Sequence, residues 1–290
     1  MPINKEKKTN EQYRQEYNAA MKGIAQDFNT TYGIELLSDD CTVSMEHYGS
    51  TPEKLVADYE AIKKKEIKWV SEKEGVNPDD VTEKMHNDWL LKQKDVKNKK
   101  SDILEMMTTL LFRKGLHKDY VIVRASKYDD YNGVDNIIIH KASGAVICAF
   151  DDVHDFNFSI ESNEEKKIKF VKKSAEKGGS TIEHGFTFIN GEFIKQKIEN
   201  VPKLYMAFTP IELGKALELV NTKNLDSLED QELQFYNKMI TAFESQISLL
   251  LEHGKNNSKF LENVHRFEKL LPSMKRSSFN TQEGSMKLAA

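Results

Sequence analysis

Only two of the 290 residues are cysteine, Cys41 and Cys148. They lie far apart in the chain, which excludes a disulfide framework or a thiolate zinc set. Neither has a histidine motif beside it, so thiol catalysis has no support, and Cys148 reads as a small apolar filler in a core strand. The eight histidines show no metal-ligand spacing; His154, next to Asp155, reads as an exposed loop residue. A glycine-rich phosphate loop and a nucleophile elbow are both missing. No run approaches the roughly 18 apolar residues that a membrane span needs, and no apolar segment follows the basic N-terminus. The expectation is a cytoplasmic protein. Nor does one sign of charge dominate. Forty-two Lys and Arg against 46 Asp and Glu give a net charge of −4. That excludes a uniformly basic coat and leaves the question of nucleic acid to local patches.

What is present is a globular, helix-rich composition, 39% hydrophobic and 30% charged. Residues 1–100 read as a helical region. Its clearest segments are Lys8 to Phe28 and Pro52 to Lys73, the second opened by Ser50-Thr51-Pro52-Glu53 with proline in the first turn. The basic run Lys92 to Lys100 reads as a solvated linker or a phosphate-facing edge. From Ser101 the character changes, and residues 101–210 read as an α/β core in the order helix, strand, strand, strand, helix, strand. The predicted elements are a helix from Ser101 to Gly115, a strand Tyr120 to Val123, a hairpin over 135–151, a helix over 161–177, and strands Ile182 to Ile189 and Leu204 to Phe208. Asn190-Gly191 is expected as a turn. Residues 211–280 are helical again, over 210–221, 227–253 and 257–270. The stripe Leu233, Tyr236, Ile240, Phe243, Ile247, Leu250 has helical period and suits core or a partner seam. Residues 281–290 form a tail whose last four, Lys287-Leu288-Ala289-Ala290, read as a cloning remnant. The expected fold class is α/β: a central mixed β-sheet flanked by helices, with helical N- and C-terminal extensions.

The richest stretch runs from Tyr128-Asp129-Asp130-Tyr131-Asn132-Gly133-Val134-Asp135 through to Asp151-Asp152. Ile137 to Ile139 and Val146 to Phe150 are apolar on both faces, so this hairpin belongs inside a sheet. A three-residue loop, Ala142-Ser143-Gly144, would pair Lys141 with Ala145 and set Asp135 opposite Asp151. A two-residue loop, Ser143-Gly144, would set it opposite Asp152 instead. Opposed residues have side chains about 5 Å apart, and like charges there repel unless a cation lies between them. Asp135 and Asp151, with Asp152 as the alternative partner, therefore form a candidate site for Mg2+ or Mn2+, which favour oxygen ligands. Asp129 and Asp130 read as solvated turn acids. A fixed cation could come from the following helix, whose buried side is expected at Ile168, Val171 and Ala175. Lys167 lies nearer that side than Lys166 and could extend its ammonium group into the acidic site.

The element order, the phrase ending at Asp135, the following Ala149-Phe150-Asp151 and the later Lys166-Lys167-Ile168 together resemble the PD-(D/E)XK nuclease superfamily over about residues 101–210. The likeness is to a bacterial branch in which the acid-x-lysine signature is split. The resemblance implies that Asp135 is the first-motif aspartate and Asp151 the acid of the second. Val153 stands where the second motif ordinarily has lysine, so the lysine would have migrated to the next helix, as Lys167 or Lys166. Glu105 matches an acid on the first helix of such nucleases. The implied function is divalent-metal-dependent hydrolysis of phosphodiesters, of DNA first. Asp135 and Asp151 would hold the metal, Glu105 would complete its shell through water, and Lys167 would serve the attacking water. The alternative is an inactive nuclease-like scaffold that binds nucleic acid or protein. The terminal helical regions would then supply a substrate clamp, a partner surface or a homodimer seam.

Overall fold

The computed structural model describes residues 8–97, 101–153, 160–189 and 192–276. His154, Asp155, Asn190-Gly191, the end of the basic run and the 281–290 tail lie outside the described residues. The chain opens with helices α1 (Asn10–Tyr32), α2 (Pro52–Glu74) and α3 (Glu83–Lys97). Thr9 and Thr51 each cap their helix through the side-chain oxygen, and Gly33 and Gly75 end them in the left-handed conformation. The central region runs α4 (Ser101–Leu116), β1 (Tyr120–Arg124), α5 (Lys127–Tyr131), β2 (Asn136–His140), β3 (Val146–Val153) and α6 (Ile160–Glu176). Short strands β4 (Ser180–Ile182), β5 (Phe186–Ile189), β6 (Glu192–Lys195) and β7 (Ile198–Val201) lead to β8 (Lys203–Ala207). Helices α7 (Pro210–Leu219), α8 (Asp230–Glu244), α9 (Ile247–His253) and α10 (Ser258–Met274) complete it. No described helix is long and apolar enough to cross a membrane.

The fold is α/β. A mixed four-stranded sheet in the order β1-β2-β3-β8 is flanked by helices, with the first two pairings antiparallel and β3–β8 parallel. Its strands are buried along nearly their whole length because helices pack against them, which is why they read as continuous apolar runs. Helix α4 is buried on almost every side, from Ile103 and Leu104 to Phe112 and Leu116. Phe112 of α4 meets Phe150 of β3 at 4.9 Å and stacks on Phe243 of α8 at 5.3 Å between ring centroids. The helical stripe Tyr236, Ile240, Phe243, Ile247, Leu250 lies in this intramolecular core.

Both sheet edges are covered. The segment at Cys41–Val43 bonds along Arg124 of β1. On the outer side of β8, the Gln246 side chain donates to the Tyr205 carbonyl and accepts from its N–H, both at 2.9 Å. This explains a departure from expectation. The helix predicted over 227–253 is broken between α8 and α9, and Gln246 in the break blocks an edge that would otherwise template pairing.

A second buried polar contact ties α8 to α4. Lys114 and Glu232 form an ion pair whose side chains are both fully buried. Glu232 also accepts from the N–H groups of Asn221 (2.8 Å) and Glu229 (2.7 Å). Removing one partner of a buried pair strands the other charge. Lys114→Met should therefore lower stability by about 3–5 kcal/mol in urea titrations. Adding Glu232→Gln removes the stranded charge and keeps one of the two acceptor oxygens, at the cost of the amide that bonds the other, so it should recover only part of that loss.

Candidate functional site

The site is built by the register of the β2–β3 hairpin. Asn136 pairs with Phe150 and Ile137 with Ala149, and the ladder ends there, so that Asp135 and Asp151 are the residues that flank its last rung. The Asp135 N–H donates to the Phe150 carbonyl at 3.0 Å. The turn differs from the one expected. His140 bonds to Ala145, which leaves Lys141 to Gly144 as a four-residue loop, and an irregularity at Ile138/Ile139 takes up the extra residue. A β-bulge opposes two residues to one, so it restores the register that the shorter loop would have set.

Successive strand residues face opposite sides of the sheet, and this divides the acids. Asp152 shares the α4 side with Phe150. Its Oδ2 accepts from the Thr108 hydroxyl at 2.7 Å and from the Asn136 amide at 3.5 Å. Its Oδ1 is buried with no hydrogen-bond partner among the described residues. Asp135 bridges the two levels, because its Oδ2 accepts the Asp152 N–H at 2.6 Å. Asp151 faces the other side and is partly exposed. There Lys203, the first residue of β8, places Nζ 3.0 Å from Asp151 Oδ2. Gly133, with φ of 80°, makes room for that pair: a Cβ there would lie 2.7 Å from Lys203 Nζ and 3.2 Å from Asp151 Oδ2.

Glu105 is held by Arg124 of β1. The guanidinium reaches Glu105 at 2.6 Å, Asp102 at 3.2 Å and Asp40 at 2.9 Å. Burial works against the charge on Arg124, but these three carboxylates more than offset it and raise its pKa. Glu105, Arg124, Asp130 and Asp135 line a cavity of about 280 Å³. Asp151 and Lys203 line another of about 300 Å³ on the α6 side.

The electrostatics are lopsided. Burial first, then the charges of Asp151, Glu105, Asp152 and Asp130, push the Asp135 carboxyl well above the usual carboxylate range. Burial pushes Asp152 up as well; the Thr108 hydroxyl and Arg124 oppose the shift, while Glu105 and Asp151 add to it. Lys203 goes the other way from its burial: Asp151 and Tyr205 hold its ammonium above the ordinary lysine value. Glu105 is paired with Arg124, whereas Asp135 and Asp152 have no cation at ion-pair distance among the described residues.

The helix expectations need correcting. The buried face of α6 carries Lys167, Val171, Ser174 and Ala175, while Ile168 is exposed. Lys167 therefore sits on the buried face itself, with Lys166 half-buried beside it. The burial face turned because α6 packs on β8 and α9, which accept residues at positions 167, 171, 174 and 175. Asp129 is not a solvated turn acid. It is fully buried, accepting from the N–H groups of Glu183 (2.8 Å) and His184 (3.1 Å) and from the Ser126 hydroxyl (2.8 Å). Ser126 caps α5, so the turn acids lie in a short helix whose inner side is enclosed. Sequence reasoning missed Lys203 altogether. Its one signal was a lysine opening an otherwise apolar strand, Lys203-Leu204-Tyr205-Met206-Ala207.

No protein-family model matches the chain, and comparison with curated proteins and with solved structures finds no match. Among the described residues, no group of three or more His, Cys, Asp and Glu side chains is placed to hold a metal ion.

The raised carboxyls have a thermodynamic consequence. A carboxyl with a raised folded-state pKa binds more protons folded than unfolded. Its favourable contribution is complete below about 3.8, the ordinary value, and is lost as pH rises through the raised one. Asp135→Asn keeps an oxygen for the Asp152 N–H and removes the charge. At neutral pH without divalent ions it should raise the melting temperature. The advantage over the unaltered protein should shrink as pH falls toward 4. Calorimetric scans from pH 4 to pH 8 measure both.

Proposed function

We propose that the protein is a divalent-metal-dependent nuclease that hydrolyses phosphodiester bonds, with DNA as the substrate class to test first. The observation that carries this reading is the end of the β2–β3 hairpin. Three aspartates meet there, two of them buried and held toward the neutral form, and one oxygen, Asp152 Oδ1, lacks any partner among the described residues. A buried carboxylate oxygen without a partner is costly, and a cation relieves it. Magnesium is commonly held by only one or two carboxylates, with waters and substrate phosphate filling the rest. Asp135 with one acid of the neighbouring strand, Asp152 on the α4 side or Asp151 on the other, would suit such an ion. Glu105, engaged by Arg124, would act at a distance through water. Bound Mg2+ or Mn2+ would supply an acidified water and positive charge for the phosphate.

The remaining roles fall to the chain's own side chains. Lys203, fixed by Asp151 and by the face of Tyr205 4.7 Å away, presents a charged ammonium at the rim of the acidic end. It is placed to hold a phosphate oxygen and to orient the attacking water. The likeness to the PD-(D/E)XK superfamily supports the reading, with Lys203 as our choice for the displaced lysine ahead of Lys167. The scaffold alternative is favoured by one feature: Arg124 already neutralises Glu105, so part of the acidic cluster is closed without a metal.

Two measurements test the proposal. Millimolar Mn2+ or Mg2+ should raise the melting temperature, since an ion that binds only the folded state must stabilise it, and Asp135→Asn should abolish the rise. Metal-dependent cleavage of plasmid and single-stranded DNA should fall by about 100-fold or more in Lys203→Met and by less in Lys167→Met. A thermal shift with no cleavage of DNA or RNA would favour the scaffold.

A further inference from the structure

On the far side of Asp151 lies the cavity of about 300 Å³ between the last turns of α6 and strand β8. Three features of its lining are unlike those of the acidic side. First, Lys173 and Lys177, one helical turn apart and both exposed, add two cations to that of Lys203, and neither has an ion-pair partner among the described residues. Second, Phe170 is 37% exposed although it stacks on Tyr205, with ring centroids 5.4 Å apart and planes inclined by 30°. Third, the Ser174 hydroxyl oxygen is buried with no hydrogen-bond partner among the described residues, in a residue only 8% exposed that lines the same space.

The lysines alone have a simpler explanation, since cations in the last turn of a helix complement its dipole. That account leaves out the open aromatic face and the orphan hydroxyl. A buried hydroxyl without a partner costs free energy unless something supplies one. A ligand that satisfies all three carries a phosphate, a flat ring and a polar edge or sugar group. Aromatic faces beside lysines are how proteins seat single-stranded nucleic acid, by stacking and charge together.

We propose that this cavity binds one nucleotide of a single strand, with its phosphate on Lys173 and Lys177, its base on Phe170, and a polar group on the Ser174 hydroxyl. The choice of a nucleic-acid strand over other phosphorylated aromatics rests on the nuclease reading, because this cavity is lined by Asp151 and Lys203 at the acidic end of the sheet. The nucleotide bound here would then be a neighbour of the one whose phosphate is cut.

The test uses the full chain in EDTA, so that binding is read apart from hydrolysis. The probe is 5′-phosphorylated tetrathymidylate labelled at its 3′ end, followed by fluorescence anisotropy. Phe170→Ala should weaken binding about 10-fold, as loss of a stacking partner does. Lys173→Gln with Lys177→Gln should lower the slope of log affinity against log salt by about 0.7 per lysine. Ser174→Ala should weaken binding about 3-fold without lowering the melting temperature, because the hydroxyl has no partner among the described residues. Full binding in Phe170→Ala, no binding by the unaltered protein, or displacement by inorganic phosphate as effective as by unlabelled strand would each overturn the proposal. Its fate is separable from that of the hydrolysis. Binding in EDTA without cleavage in Mg2+ or Mn2+ removes the nuclease and keeps the nucleotide seat. Cleavage with an unchanged KM in the Phe170 and lysine variants does the reverse.

Discussion

The molecule turns on negative charge that it concentrates and does not neutralise. Asp135 and Asp152 are buried at one end of a sheet, joined through a backbone N–H to carboxylate bond of 2.6 Å, with further acids around them. Most proteins avoid burying carboxylates together because each raises the cost of ionising the next. Here the arrangement is forced by apolar packing on both sides. Phe150, one residue before Asp151, is locked between Phe112 and Phe243, so the strand cannot turn its acids outward without opening the core. The stability of the aromatic layer holds the electrostatic tension at the strand end.

That tension is graded by what each acid touches. Asp151 has an ammonium at 3.0 Å. Glu105 has a guanidinium. Among the described residues, Asp135 has an amide hydrogen on one oxygen as its hydrogen-bond donor, and Asp152 has a hydroxyl and a side-chain amide on one oxygen and no donor on the other. Neutral donors offset less than a cation does. The deficit therefore sits at Asp135 and Asp152, and any added cation would be drawn there before anywhere else in the cluster.

The sequence made much of this legible, for reasons that vary by element. Doubly apolar strands at 137–139 and 146–150 can only lie inside a sheet, so the hairpin and the acids at its open end followed from pattern. The expected three-residue turn would pair Asn136 with Phe150 and set Asp135 opposite Asp151; the structure pairs Asn136 with Phe150 through a longer turn and a bulge, and the ladder ends at that rung. A bulge leaves no trace in a run of β-branched residues. Lys203 was invisible because its importance comes from a parallel pairing between β3 and β8, over 50 residues apart, which no local period encodes. Asp129 was misjudged for a similar reason: its donors, Glu183 and His184, lie far along the chain. Local pattern located the acids, and long-range pairing decided which of them meet a cation.

The division of the strand end between two faces gives the proposed chemistry its asymmetry. Because Asp151 and Asp152 are consecutive, they cannot serve the same side of the sheet. One therefore belongs with Lys203 and the aromatic pair over β8, and the other with Thr108, Asn136 and the underside of α4. Asp135 is the residue that couples them, since it flanks the last rung of the ladder with Asp151 and accepts the amide hydrogen of Asp152. A phosphodiester approaching from the lysine side would meet cations first and the charge-deficient acids second. Such an order attracts an anion without letting it contact bare carboxylates, unless a cation already lies between them. Under the proposed reading, strand binding and metal binding would favour one another. An acidic end that repels phosphate when empty becomes attractive once the missing positive charge is supplied, and that coupling is what a metal-dependent hydrolase of anionic polymers requires.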